Sequence, residues 1–304
     1  MTMTPVVPAT QPLGRLRPLA LLLATGSLLG ALFPLGKLAA AAGVAPLAWS
    51  LSMLLSAGVL LTVLAAAQGQ APHLTAPHLR YYASAGLLSM AMPNLILFSV
   101  MPQLGAGLSA VVYTLPPILT LVLAALIGLE RPGRQRLVGI GLGFAGAALI
   151  VGPRGSLPSS DQYGWMALAL TIPVFLAMGN IYRTRCWPAG ASPLQLSAGA
   201  MLAGAFWIAL ASAATGQLGD IATLAGAPAL ASVQGALNAL QFLLFMRLQK
   251  SAGPVYVSQI GYVATAVGLA SGAIVFGETY SPWVWAASGL IASGVILVNF
   301  ARRP

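Results

Sequence analysis

Acidic residues are nearly missing from this chain. Its 304 residues include four, Glu130, Asp161, Asp220 and Glu278, and only 6% of residues are charged against 58% hydrophobic. A soluble domain carries about 25% charged residues. A water-facing shell cannot be built from this composition, and a mean hydropathy of +0.88 makes lipid the solvent for most of the surface. One cysteine, Cys186, excludes an internal disulfide. The two histidines, His73 and His78, share a loop with Pro72 and Pro77 and have no Cys, Asp or Glu close by, a poor metal site. No metal or cofactor is expected. There is no Walker motif, Cys/His cluster or Ser-His-Asp set beyond chance, so no enzymatic activity is expected. The Gly139-x-Gly-x-Gly stretch lies in an apolar run with no preceding strand and no following Lys-Ser/Thr.

What the chain has in quantity is apolar runs. Ten of them, at roughly 18–36, 46–67, 81–101, 106–127, 137–152, 163–182, 194–215, 228–246, 254–276 and 283–301, approach the ~20 residues that cross a hydrocarbon core. The fifth is short and borrows Gln135 and Arg136 by snorkelling. None alternates as a membrane strand would. The net charge of +10 comes from fourteen Lys and Arg scattered between the runs, not gathered in a patch, so no nucleic-acid partner is expected. With a cytoplasmic N-terminus, twelve of the fourteen fall in inside segments, among them Arg80, Arg136, Arg183, Arg185, Arg247 and Lys250, and only Lys37 and Arg154 fall outside. That bias sets the expected orientation, with both termini cytoplasmic.

The stretches Gly105 to Val151 and Gly253 to Asn299 share one layout. Superimposing Glu130 on Glu278, an offset of 148 residues, aligns Gly105 with Gly253, Gly128 with Phe276, Gly141 with Gly289 and Gly146 with Gly294. The chain reads as a duplication. Five runs per half is an odd number, so the second half enters the membrane upside down. The expected fold is an all-α polytopic membrane protein with ten transmembrane helices, arranged as two inverted five-helix repeats around a central cavity. The expected parts are a cytoplasmic tail (1–17), a first repeat (18–152), a periplasmic connector (153–162), a second repeat (163–301) and a cytoplasmic C-terminus (302–304). The first run also resembles a signal peptide ending in the small residues Ala39 to Ala42, but the five-plus-five pattern requires it to be retained. Gly26 and Gly30, Gly139, Gly143 and Gly146, and Gly289 and Ser293 stand at helical spacing, where small residues let helices approach in lipid. Trp165, Trp187, Trp283 and Trp285 fall at run ends, as an aromatic belt does, while Trp49 and Trp207 lie deeper.

A polar group buried in lipid needs a partner or access to water, so polar residues inside the runs are the candidate substrate contacts. They are Asn94 and Phe98 beside Met90 and Pro93 in the third run, and Ser109 and Tyr113 with Thr120 in the fourth. Asn180 and Tyr182 lie in the sixth, and Asn238 and Gln241 follow Gln234 in the eighth. Ser258, Gln259 and Tyr262 with Thr265 stand in the ninth. Each has an alternative use as a helix–helix hydrogen bond. Uncharged amides, hydroxyls and phenols suit an amino acid's carboxylate and ammonium. Prolines free backbone groups, and Pro34 and Pro102 mark the expected gates. Lys37, at the outer end of the first run, either snorkels or attracts a carboxylate near the outer gate.

The order "small-residue helix, Pro, Gly-Glu turn, Gly-rich helix" resembles the EamA family of the drug/metabolite transporter superfamily. It is carried by Pro116–Pro117, Gly128-Leu129-Glu130-Arg131, Gly139-x-Gly-x-Gly with Gly146, and Gly277-Glu278, with Gly26, Phe33 and Lys37 in the first run. The resemblance implies a bacterial inner-membrane transporter of small molecules, with the first, third, fourth, sixth, eighth and ninth helices around the cavity and the glutamate structural. It points to the amino-acid exporter branch, with a drug or nucleotide-sugar carrier as the alternative. A non-transporting scaffold or receptor is the alternative of another class. No run carries an acidic residue at its middle, so facilitated diffusion is expected over proton coupling. The expected partners are a small-molecule substrate and the lipid bilayer. One chain of ten helices encloses its own cavity, so a monomer is expected.

Overall fold

The computed structural model describes residues 16–97, 99–100, 103, 115–130, 133–151, 163–277 and 282–300. The expected site residues Phe98, Pro102, Ser109 and Tyr113 lie outside them. All regular structure among the described residues is helical. The helices are α1 (Leu16–Ala41), α2 (Pro46–Ala67), α3 (Ala76–Gly86), α4 (Pro116–Leu126) and α5 (Arg134–Val151). Then come α6 (Tyr163–Arg185), α7 (Pro193–Ala214), α8 (Pro228–Ala252), α9 (Pro254–Phe276) and α10 (Pro282–Phe300). A 3₁₀ segment, Gln217–Gly226, links α7 to α8. Six of these, α1, α2, α6, α7, α8 and α9, are long and apolar enough to cross a membrane.

Prolines fix many of the starts. Pro46, Pro77, Pro116, Pro193, Pro228 and Pro254 occupy the first or second helical position, where a missing N–H costs nothing. Ser192 adds a side-chain cap to α7, accepting from the Gln195 N–H at 3.2 Å. Several ends run past those read from the sequence. Helix α1 continues to Ala41, past Lys37, and α6 to Arg185 and α8 to Ala252, so Arg183, Arg247 and Lys250 are helical rather than loop residues. Loop assignment from charge failed because hydropathy falls before the helix does.

Three helices are irregular. After Gly86, α3 widens into a π turn at Leu87–Ala91 and resumes over 92–97. Pro93 cannot donate to the carbonyl four residues back, which disturbs the ladder there. Helix α6 is broken at Leu170, ahead of Pro173. Helix α9 is broken at Ser258–Gln259. Backbone bonds three residues apart carry the chain across, from the Gln259 N–H to Tyr256 O (3.2 Å) and from the Tyr262 N–H to Gln259 O (3.0 Å).

The tightest pair is α5 against α10. A Cβ added to Gly139 would stand 2.8 Å from Gly294 O, one on Gly146 would stand 2.7 Å from Ala287 O, and one on Gly294 would stand 2.6 Å from Gly143 N. A shift of 148 residues converts the Gly139–Gly294 approach into the Ala287–Gly146 approach. It likewise converts Gly143–Gly294 into Ile291–Gly146. The α10 side of this seam is Ala287, Ile291 and Gly294, not the Gly289 and Ser293 expected from spacing. A Cβ added to Gly289 would meet nothing within 4 Å, and Ser293 is exposed. Other helix pairs correspond under the same exchange of halves: α1–α9 with α4–α6, and α2–α8 with α3–α7. Gly43, Gly69 and Gly128, at positive φ beyond α1, α2 and α4, have counterparts in Gly190, Gly216 and Gly277 beyond α6, α7 and α9. The partner of Gly128 is thus Gly277, one residue from the Phe276 that a gapless alignment gives. On the outside, α2 turns Leu55, Val59 and Val63 outward, an apolar stripe suited to lipid.

Glu130 ties the α4–α5 connector to the bundle. Its Oε2 is 2.6 Å from Arg136 Nη1, and a Cβ on Gly253, in the α8–α9 turn, would stand 3.2 Å from its Oε1. The pair is partly buried, so Glu130→Gln is expected to cost about 1 kcal/mol, read as a fall of a few degrees in Tm in detergent. An unchanged Tm would remove Glu130 from the structural account.

Candidate functional site

The polar residues inside the bundle gather where α3, α4, α6 and α8 meet, near the ends of α6 and α8 that carry Arg185 and Lys250. Arg183 is at the centre, 2% exposed. Its Nη1 donates to Ser89 Oγ in the π turn of α3. Its Nη2 donates to Asn180 Oδ1, one turn back on α6, at 2.6 Å. The guanidinium lies over the Phe245 ring of α8, 4.7 Å from its centroid. Asn180 Nδ2 donates to Thr120 Oγ1 on α4 (3.3 Å). Gln249 Nε2, on α8, donates to Asn180 O (2.9 Å) and Thr184 Oγ1 (2.6 Å). Four helices are therefore tied at one level by uncharged partners around one cation.

The local sequence explains the convergence. Asn180, Arg183 and Thr184 stand at i, i+3 and i+4, so they share a face of α6, while Arg185 falls on another. Gly179 lets α3 close on α6, because a Cβ there would meet Ser89 Oγ. Tyr81, fully buried one helix over, packs its ring on Trp187 (centroids 6.2 Å apart) and Tyr182 (5.9 Å). Tyr81 Oη, Arg183 Nε and Gln249 Oε1 have no hydrogen-bond partner.

The other expected residues divide. Asn94 donates to its own helix at Met90 O (2.8 Å) beside the π turn. Asn238 reaches Met53 O of α2 (3.4 Å) and Met201 Sδ of α7 (3.8 Å), a helix–helix bridge. Gln241 and Gln234 are buried on the same face of α8. Ser258 donates to Val255 O (2.7 Å) within the α9 break. Gln259 beside it is 1% exposed, and neither atom of its amide is paired. Tyr262 packs its ring on Gly143 and donates to Ile140 O at 3.5 Å, which joins α9 to α5. Pro34 lies inside α1 without interrupting it. Lys37 Nζ stands 4.2 Å above the Phe276 ring. Trp207 bonds across to Ala83 O of α3 (3.1 Å), so it serves packing. Of the expected residues, the structure brings Asn180 and Thr120 into the four-helix cluster. Sequence reading missed Arg183, Gln249, Ser89 and Tyr81. The available signal was the shared face of Asn180, Arg183 and Thr184, in a chain with too few acids to neutralise a buried arginine.

Comparison with known proteins gives three findings. Residues 16–152 match the model of the EamA-like transporter family. The chain is 28% identical over 222 residues to the "Uncharacterized inner membrane transporter YedA" of Escherichia coli K12, covering 71% of this chain and 70% of that protein, and equally to its counterpart in Escherichia coli O6:H1. A solved crystal structure of a protein 15% identical in sequence superimposes with a TM-score of 0.74, over 96% of this chain and 99% of that one, which is a likeness of fold.

Proposed function

We propose that the chain, whose residues 16–152 match the EamA-like transporter family model, is a multi-pass inner-membrane transporter that exports amino acids or similar small metabolites by alternating access. The observation that carries this reading is the polar cluster of Ser89, Thr120, Asn180, Arg183 and Gln249. Groups of this kind are costly in an apolar bundle and are kept where a polar solute passes. The paired glycines and the exchange-symmetric α5–α10 seam support two five-helix repeats, and α3, α4 and α5 supply the remaining spans beside the six long helices and α10. Such repeats exchange roles to open the centre to either side. The basic end of the bundle is then cytoplasmic. With the buried Arg183 left out, eleven charges at or beyond the inside helix ends still face two outside, and the cluster closes the cytoplasmic side.

Facilitated diffusion fits the acids. Glu130 pairs with Arg136 at a connector, and Asp220 stands in the 3₁₀ segment. Among the described residues no carboxylate lies in the middle of a helix. A monomer suffices, since one chain supplies both halves. The test is uptake of radiolabelled amino acids by proteoliposomes with no imposed ion gradient. Saturable uptake that stops at equal concentrations is expected. No uptake of any amino acid, with or without a pH gradient, would reject the amino-acid reading. Accumulation driven by a pH gradient would reject facilitated diffusion.

A further inference from the structure

We infer that Arg183 is the recognition group for an anionic substrate moiety, a carboxylate, which replaces Ser89 and Asn180 when the basic end of the bundle opens. The inference rests on the transport reading and adds the chemistry of the ligand. A buried cation without a counterion costs several kcal/mol even after relaxation. Among the described residues no carboxylate reaches Arg183. Glu130 is engaged by Arg136, and Asp220 belongs to the 3₁₀ segment following α7. The hydroxyl and amide that hold the guanidinium each take one of its hydrogens and leave its charge unneutralised.

The surroundings also carry donor and acceptor capacity that the closed arrangement leaves unused. Arg183 Nε, Tyr81 Oη and Gln249 Oε1 are buried and unpaired. A carboxylate set against Arg183 takes two parallel N–H bonds from the guanidinium, and the buried Tyr81 hydroxyl is a further donor without a partner. Gln249 Oε1, an acceptor, suits the ammonium of the same amino acid. Phe245 holds the guanidinium plane by stacking, so orientation is set before the ligand arrives. Arginine suits this task better than lysine because its fork matches the carboxylate geometry.

The experiment compares wild type, Arg183→Gln, Arg183→Lys and Arg183→Met in proteoliposomes, with L-amino acids and their carboxamides as competitors of labelled amino-acid uptake. Wild type is expected to prefer the acid over its amide at least tenfold. That preference should fall to about one in Arg183→Gln and be partly kept in Arg183→Lys. An equal preference in wild type and Arg183→Gln would overturn the inference and leave the transport reading intact. Thermal shift of the purified full chain decides independently of transport. The same L-amino acids should raise the Tm of wild type more than their carboxamides do, and should not do so in Arg183→Met. Ligand-free Arg183→Met should lose little Tm, because relief of the buried charge offsets the two neutral acceptors, Ser89 Oγ and Asn180 Oδ1, that it leaves unpaired. A large fall in its Tm, with no carboxylate-dependent shift in wild type, would make Arg183 a purely structural residue.

Discussion

A Gly294→Leu variant is expected to lose most of its folded yield. Its Cβ would stand 2.5 Å from Gly139 O and 2.6 Å from Gly143 N. Both are backbone atoms of α5, so no side chain can turn aside, and α5 and α10 must separate. Overpacking of this kind costs about 3 kcal/mol or more, a large part of a total stability of about 5–15 kcal/mol. In lipid the loss is felt fully, because close backbone packing replaces the hydrophobic drive that water supplies elsewhere. Gly289→Leu on the same helix is the control. Nothing lies within 4 Å there, and its yield should match wild type. Monodisperse protein on size exclusion and Tm in detergent read both variants. Equal behaviour of the two would contradict the glycine seam.

Asn180→Ala is expected to unlock the basic end. The substitution removes the 2.6 Å bond from Arg183 and the bond to Thr120 on α4. A hydrogen bond to a charged group is worth about 2 kcal/mol, roughly a thirtyfold change in the balance of closed and open forms. The readout is a Ser89→Cys probe in a Cys186→Ser background, which removes the chain's one native cysteine. In inside-out vesicles the probe should resist an impermeant maleimide when Asn180 is present and react at least tenfold faster in Asn180→Ala. Asn238→Ala, which breaks only the bridge to α2 and α7, should leave labelling slow. Equal labelling of Ser89→Cys with and without Asn180 would contradict a latch at this level.

Composition and hydropathy made the helical membrane architecture legible, because 6% charge leaves no other solvent for the surface. The duplication was legible from two glutamates and their flanking glycines, though Gly128 pairs structurally with Gly277, a one-residue shift that a gapless alignment cannot express. The site was legible only in part. Asn180 was visible as a polar residue inside an apolar run. Arg183 was not, because a charge at the end of a run reads as a topology signal until the helix is seen to continue and bury it. Gln249 lay beyond the apparent end of its run for the same reason. Tyr262 and Asn238 were candidates read from shared helical faces, and in the structure Tyr262 packs on Gly143 while Asn238 reaches Met53 O. Periodicity tells which residues share a face and not which neighbour that face meets.

Counterflow tests the central claim most directly. Proteoliposomes holding the full chain are loaded with a millimolar unlabelled amino acid and diluted into a trace of the labelled one, at equal pH and salt on both sides. In a carrier whose site faces one side at a time, the unlabelled amino acid inside competes with label for the way out, so label enters faster than it leaves. The account predicts a transient overshoot of internal label that decays to equilibrium and is lost in Asn180→Ala. Entry that rises smoothly to equilibrium without overshoot, or that appears only when a pH gradient is imposed, would contradict alternating access by facilitated diffusion.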